Sequence, residues 1–396
     1  MLHRIGAYEE ARTEYQRSLA SVSTRQRHWR GRLYRKIGVA WSDEREYNRA
    51  MEAFDHAEQA LGPQPTVART EWTRAWLEIQ PHRINGHYYR HDLDSLLSLV
   101  ERTRPLVEQQ GTIRQQADFF KSLLMIALRR DRYVISEETM ALSLSYLAAT
   151  EQLESPSDAA WGRFNVGFCR LLRGELEEAQ HELQAALDFA ERAGDVLLRS
   201  RCLNYLTMTA RRRGNVEQAE KYLARSTTAA AAAGTLEYLA QAAANRAWLT
   251  WRRGRVPEAS RVAAEALRAM RDLPIRLPFE WLATWPLLHI TLHRDDIAEA
   301  VEYANGLLAP SQQPPPPSSA AALERAIQAW GCRPTIGLPQ PPTTRDRSRT
   351  PPPLPLVRRA PRWPTPRRRL LKHRGVKGNR SSDDRRIVAG PEGRSR

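Results

Sequence analysis

Between residues 196 and 234 apolar side chains recur at helical spacing, stop, and recur again. Leu203, Leu206 and Ala210 fall at i, i+3 and i+7, one face of a helix. Arg211, Arg212 and Arg213 follow, where cations suit the C-terminal end of the helix dipole. Gly214 and Asn215 then supply the two residue types that best tolerate left-handed backbone at a helix stop. A second stripe, Val216, Ala219, Leu223, Ser226 and Ala230, runs on to Gly234. The pattern predicts a helix, a tight turn and a second helix.

The same punctuation returns every forty residues: RGELEEA at 173–179, RGNVEQA at 213–219, RGRVPEA at 253–259 and RDDIAEA at 294–300. The closing alanines, Ala179, Ala219, Ala259 and Ala300, lie 40, 40 and 41 apart. A fixed period of this size marks a solenoid, because each unit has one apolar face that only a stacked neighbour can cover. The expectation is an all-α α-solenoid over residues 1–309. Its repeats are regular over 160–309 and divergent over 66–150. Turns are expected near 43–45, 174–175, 214–215, 254–255 and 295–296. Within IQPHRINGHYYRHD the pattern breaks, and residues 81–92 are expected to be the largest irregular interruption.

Segment 31–64 resembles the tetratricopeptide repeat almost position by position. Tyr34, Ile37, Gly38 and Trp41 stand at its first-helix aromatic, Leu, Gly and Tyr positions. Ala50, Phe54, Ala57 and Pro63 stand at the second-helix Ala, Phe, Ala and closing Pro, the proline one place late. Segment 160–193 keeps Gly167, Ala179 and Ala186, while Thr207, Ala247 and Leu288 depart from the small glycine. With its longer period, the chain over about 1–331 is similar to the C-terminal repeats of large bacterial signalling proteins. In those a nucleotide cyclase, kinase or DNA-binding module is joined to a signal-transduction NTPase and then to such repeats. Residues 127–143 and 201–214 carry this likeness. The resemblance implies a right-handed superhelix of hairpins acting as a sensor or scaffold arm, without cofactor or catalysis of its own. Its partners would be a protein or peptide ligand and the upstream NTPase or cyclase domains of the same parent protein.

The family pattern also implies which first-helix positions line the concave groove. Counted from 160, 200 and 240 they are Trp161, Asn165 and Phe168; then Arg201, Asn204, Met208 and Arg211; then Gln241, Asn245, Trp248 and Trp251. Asn165, Asn204 and Asn245 would form a ladder, and an amide can donate to and accept from a peptide backbone at once. Met and the aromatics beside them offer anchor area. The competing reading has the aromatics packing between helices and the asparagines bonding locally.

Both ends depart from the repeat. Gly6, Tyr8, Ala11 and Tyr15 read as the turn and second helix of a repeat, so either sequence precedes Met1 or a single helix caps the stack. Residues 310–319 read as a Pro/Ser-rich linker and 320–331 as an incomplete repeat helix. Residues 333–396 hold 16 Arg and 12 Pro with no apolar period. Two readings fit: a disordered Pro/Arg-rich C-terminal tail that cannot bury enough apolar surface to order itself, or GC-rich coding read out of frame. The chain's 56 Arg against 5 Lys agree with GC-rich coding throughout.

Charge follows the same division. Of the net +16, residues 333–396 carry +14 and the preceding 332 residues only +2. The repeats therefore carry no nucleic-acid signature, and phosphate binding is expected only non-specifically through 333–396. No run of about 18 apolar residues predicts a membrane span. Cys169, Cys202 and Cys332 form no disulfide framework, in keeping with a reducing cytoplasm. Phosphate loops, HExxH, GxSxG and CxxC are absent. His289 and His293, and His82, His87 and His91 with Asp92, could each be imagined around a metal. The adjoining Arg294, Arg83 and Arg90 argue for plain surface or packing roles. Glu137 and Glu138 read as charges at a helix start.

Truncating the chain after Gly331 is expected to leave the melting temperature within about 2 °C, because removing a tail that packs on nothing changes stability little. A thermal melt followed by circular dichroism measures it, and a larger drop would show the tail packing on the repeats.

Overall fold

In the computed structural model residues 7–64, 70–90, 92–273 and 275–331 are described; residues 332–396, including the predicted tail and Cys332, lie outside them. Among the described residues every regular element is a helix. A lone helix, α1 (Tyr8–Ser21), comes first. Seven hairpins follow: α2 (Arg27–Asp43) with α3 (Tyr47–Leu61), α4 (Thr70–Tyr89) with α5 (Leu93–Gln110), and α6 (Ile113–Arg130) with α7 (Glu137–Glu151). Then come α8 (Pro156–Arg173) with α9 (Leu176–Ala193), α10 (Val196–Arg213) with α11 (Val216–Ala232), α12 (Leu236–Arg252) with α13 (Val256–Arg271), and α14 (Trp281–His293) with α15 (Ile297–Leu308). A second lone helix, α16 (Pro317–Gly331), ends the series.

The five predicted turns are built alike. One residue takes a left-handed conformation at each: Arg45, Gly174, Gly214, Gly254 and Asp295. The next amide reaches back five residues, from Glu46 to Trp41, Glu175 to Arg170, Asn215 to Ala210, Arg255 to Thr250 and Asp296 to Thr291. This closure satisfies carbonyls that the helix end leaves unpaired. It also sends the second helix back along the first.

Small residues set how closely each hairpin closes. A Cβ on Gly38 would stand 2.4 Å from the Phe54 ring, and one on Gly167 would stand 2.8 Å from Leu183 Cγ. Ala50, Phe54 and Ala57 are fully buried, as are Ala179, Leu183 and Ala186. The resemblance positions are thus the packing positions. Cys169 and Cys202 lie buried as free thiols within the same stripes.

Residues 81–89 differ from the expectation: α4 runs unbroken through Pro81 to Tyr89. Leu77, Ile84 and Tyr88 keep an apolar stripe across the proline, and all three are buried. His82 stacks on Phe54 at 5.8 Å, and Gly86 admits the Met51 thioether, which a Cβ would meet at 2.5 Å. Packing on α3 outweighs the local breakers. Among the described residues the longer non-helical connections instead follow α13 and α15.

Gly38→Ala is expected to destabilise the chain by about 1–3 kcal/mol, since the added methyl meets a fixed ring and overpacking exceeds the gain in helix propensity. Urea unfolding of the full chain measures this. An unchanged midpoint would mean that α2 and α3 can separate freely.

Candidate binding face

Most successive first helices touch one another, α2 with α4, α4 with α6, α8 with α10, α10 with α12 and α12 with α14, and no comparable packing joins successive second helices among the described residues. The curvature therefore turns first helices inward. Groove positions inferred for α8, α10 and α12 do lie on this inner face, but most of them are covered. Phe168, Asn204, Met208, Arg211, Gln241, Asn245 and Trp248 are buried. Trp161, Asn165, Arg201 and Trp251 keep partial exposure.

The buried set bonds to itself. Asn204 Nδ2 donates to Gln241 Oε1 at 3.0 Å, joining α10 to α12. Arg211 donates to Asn245 Oδ1 at 3.1 Å and to the Leu282 carbonyl at 2.8 Å, joining α10 to α12 and α14. Its guanidinium lies 5.4 Å from the Trp248 ring and 5.6 Å from Trp281. No carboxylate serves it, and burial pulls its pKa down to about 9. Asn165 turns back to the Trp161 carbonyl. Of the asparagine ladder, Asn204 and Asn245 are buried rungs between helices, whereas Asn165 bonds within α8 and stays partly exposed.

Three long-range contacts explain the cover. Arg45, in the α2–α3 turn, donates to both carboxylate oxygens of Glu237 at 2.9 Å. Tyr88 and Tyr133 share a hydrogen bond of 3.0 Å, and Tyr133 packs edge-on against Phe168 and Phe279. Arg132 donates to the carbonyls of Ala309 and Gln312, and Gln313 donates to the Tyr133 carbonyl. Gln312, only 3% exposed, also bonds the Leu277 carbonyl and the Glu280 carboxylate and amide. The segment read as a Pro/Ser-rich linker thus straps the α6–α7 turn to the start of α14.

An open stretch remains on α6, α8 and α10, where the sequence singled out Trp161 and Arg201 but missed Lys121. Lys121 Nζ stands 5.7 Å from the Trp161 ring and the Arg201 guanidinium 5.2 Å from the same ring. Lys121 keeps an exposed surface, yet surrounding protein lowers its pKa. The side chain thus lies against neighbouring protein while part of it stays open to solvent. Neither cation forms an ion pair among the described residues. On the same side Arg35 and Arg32 share Glu78 at 3.3 and 3.6 Å. Asp158 is taken by Arg114, and burial raises the pKa of Asp118 while Lys121 opposes the rise.

The histidine sets do not converge. His82 faces Phe54, and His87 bonds Asp92 at 3.1 Å, while His91 lies outside the described residues. His289 stacks on Trp251 at 5.4 Å, and His293 bonds the His289 carbonyl. Glu137 and Glu138 open α7 and pair with Arg173 and Arg130. No described helix is long and apolar enough to cross a membrane.

No protein-family model matches this chain, and no curated protein does. Solved structures do. A signal-transduction ATPase with numerous domains from Pyrococcus horikoshii, bearing a tetratricopeptide repeat sensor, aligns with TM-score 0.51 at 15% identity, over 80% of this chain. This chain spans 46% of that protein's length. Aspartyl phosphate phosphatase F from Bacillus subtilis aligns with TM-score 0.51 at 15% identity, over 80% of each chain. With the hairpin geometry, these likenesses show the fold, an all-α solenoid of tetratricopeptide-like repeats.

Two expectations follow. Asn204→Ala leaves Gln241 without its donor inside the stack, so it should lower stability by about 1–2 kcal/mol; chemical denaturation of both proteins tests this, and an unaltered stability would put the amide in open solvent. His289 has its pKa lowered by burial and then by His293. Its neutral form is favoured in the fold, so its stabilisation is complete above the unfolded pKa of about 6.5 and is lost as pH falls toward the folded value. Melts between pH 7.5 and 5 should show a decline that His289→Gln reduces, and equal declines in the two proteins would refute the assignment.

Proposed function

We propose that this chain is a protein-interaction scaffold, the sensor arm of a cytoplasmic signalling ATPase, and that a peptide or protein partner docks on the open stretch of its inner face. The carrying observation is Trp161, an accessible indole set between cationic side chains from two neighbouring first helices. Aromatic and Arg side chains at the centre of a concave surface are the usual source of binding energy. The likeness to a protein whose repeats are named as the sensor of an ATPase supports the sensor role. In this reading the chain has no catalysis and no cofactor, and any cyclase or NTPase chemistry belongs to partner domains. In this reading a solenoid over 1–309 is followed by a linker that serves as a strap, a helix that begins at Pro317 rather than at 320, and a basic tail from 332. Asn165 and Trp251 border the docking stretch, while the buried members of the ladder hold its walls.

Panning a random peptide library against the full chain is expected to yield sequences that Trp161→Ala binds about thirtyfold more weakly, the loss typical of a central tryptophan. Selected peptides that bind Trp161→Ala unchanged would move the docking site elsewhere. ATP hydrolysis by the purified chain would overturn the non-catalytic reading.

A further inference from the structure

We infer that the ion pair between Arg45 and Glu237 is a clasp, which holds the α2–α3 hairpin closed against α12 and releases it without unfolding the stack. This is a property of the chain itself and does not depend on which partner docks.

The chain meets itself across the inner face at two places, and they are built differently. One is the strap. There Tyr133 packs edge-on against Phe168 and Phe279. Arg132 donates to the carbonyls of Ala309 and Gln312, and Gln313 donates to the carbonyl of Tyr133. Rings and satisfied polar groups are buried together at this crossing, so parting it would cost both packing and hydrogen bonds.

The other crossing is Arg45. Its Nη2 donates to both carboxylate oxygens of Glu237 at 2.9 Å, joining the α2–α3 turn to the start of α12 across 192 residues of chain. Among the described residues no extended helix packing joins α1–α3 to α10–α15, so little apolar burial backs this contact. The Arg45 side chain keeps 36% of its surface exposed, against 12% for Glu237. An ion pair open to solvent on one side adds modest stability and is screened by salt. When it breaks, α2 and α3 keep their own contact through the fully buried Ala50, Phe54 and Ala57. The hairpin can therefore move as a unit.

The turn shows that this side chain matters. Arg45 holds a left-handed φ of 66°, where the turns at Gly174, Gly214 and Gly254 use glycine. Glycine makes such a turn without the steric cost that an arginine bears. What the arginine adds is its reach to Glu237. Arg132 and Tyr133, at the strap, are left-handed as well, with φ of 50° and 63°. Three of the five non-glycine residues in this conformation thus stand at the two crossings; Glu154 and Asp295 are the others.

The clasp lies over the inner face. Tyr47, two residues after Arg45, stacks on Tyr89 at the end of α4 at 4.7 Å. Against the cost of burial, Tyr238, Tyr89, Tyr205 and Glu237 favour the charge of Arg201 on α10. The α2–α3 turn, the end of α4 and the start of α12 therefore converge there. Opening the clasp draws the turn off this group and uncovers the Glu237 carboxylate.

The test uses the full chain with spin labels on Glu52→Cys in α3 and Ala232→Cys at the end of α11, both exposed positions. Cys332→Ser leaves the buried Cys169 and Cys202 as the remaining native thiols. Pulsed electron–electron resonance then reads the distance between the two labels. Arg45→Gly suits the left-handed turn and should keep the thermal melt, yet lower the closed-to-open ratio about fivefold or more, a factor that loss of one charged pair gives. Glu237→Gln keeps the size of the side chain and should do the same. Salt raised to about 1 M, where screening acts within about 3 Å, should open the wild type and leave Arg45→Gly unchanged. The double reversal Arg45→Glu with Glu237→Arg should restore the closed distance. Identical distance distributions in wild type and both single variants would overturn the clasp. So would a double reversal as open as the single variants, since that would place the effect in the turn and not in the ion pair. Opening accompanied by an early melt in both single variants would also overturn it, by making the pair a support of the fold.

Discussion

A single left-handed residue at the end of the first helix, in five of the seven hairpins, governs the rest of this structure. Arg45, Gly174, Gly214, Gly254 and Asp295 hold that conformation in five hairpins. With it, the chain reverses within two or three residues and the second helix packs on the first. The tolerances behind it are unequal. Glycine adopts the conformation freely, whereas arginine and aspartate do so at some cost. The outermost of the five turns use the costlier residues, and the three with glycine lie together in the regular region. There the hairpins repeat most evenly and the inner face is most fully built.

Repetition alone would leave a long open groove. Closure across the inner face prevents it. Arg45 reaches Glu237, Tyr88 reaches Tyr133, and Arg132 reaches Gln312, each joining residues far apart in sequence. These contacts bury polar groups, which is tolerable only because partners are supplied. Gln312 makes several bonds at 3% exposure, and a buried amide left unpaired would cost far more than a paired one stabilises. The strap and the Asn204–Gln241 and Arg211–Asn245 rungs are thus parts of one polar frame inside an apolar stack.

What the sequence disclosed follows from this division. The turns were legible because glycine and the returning RG-x-x-x-E-A pattern act locally. The inner-face register was legible too: Asn204, Gln241, Arg211 and Asn245 do meet across neighbouring first helices. Their burial was not legible, since Tyr133, Phe279 and Gln312 cover the inner face and carry no forty-residue signal. Pro81 and Gly86 misled for a related reason. Each is a helix breaker in isolation, yet Gly86 is needed for the approach of Met51 and the stripe through Ile84 holds the helix together. Lys121 was missed because nothing about an isolated lysine distinguishes a side chain held against protein from one on a solvated face.

Closure and charge together explain where a partner could gain most. Over the covered stretch, Arg211 is stabilised by a carbonyl, an amide oxygen and two indoles, so its positive charge is screened from anything outside. Along the open stretch Arg201 has rings around it and forms no ion pair of its own, while Tyr238, Tyr89, Tyr205 and Glu237 favour its charge. A guanidinium with its acceptors built in is a structural element. The difference between the two arginines, nearly three helical turns apart on α10, lies in how far the strap and the crossing aromatics extend along the inner face.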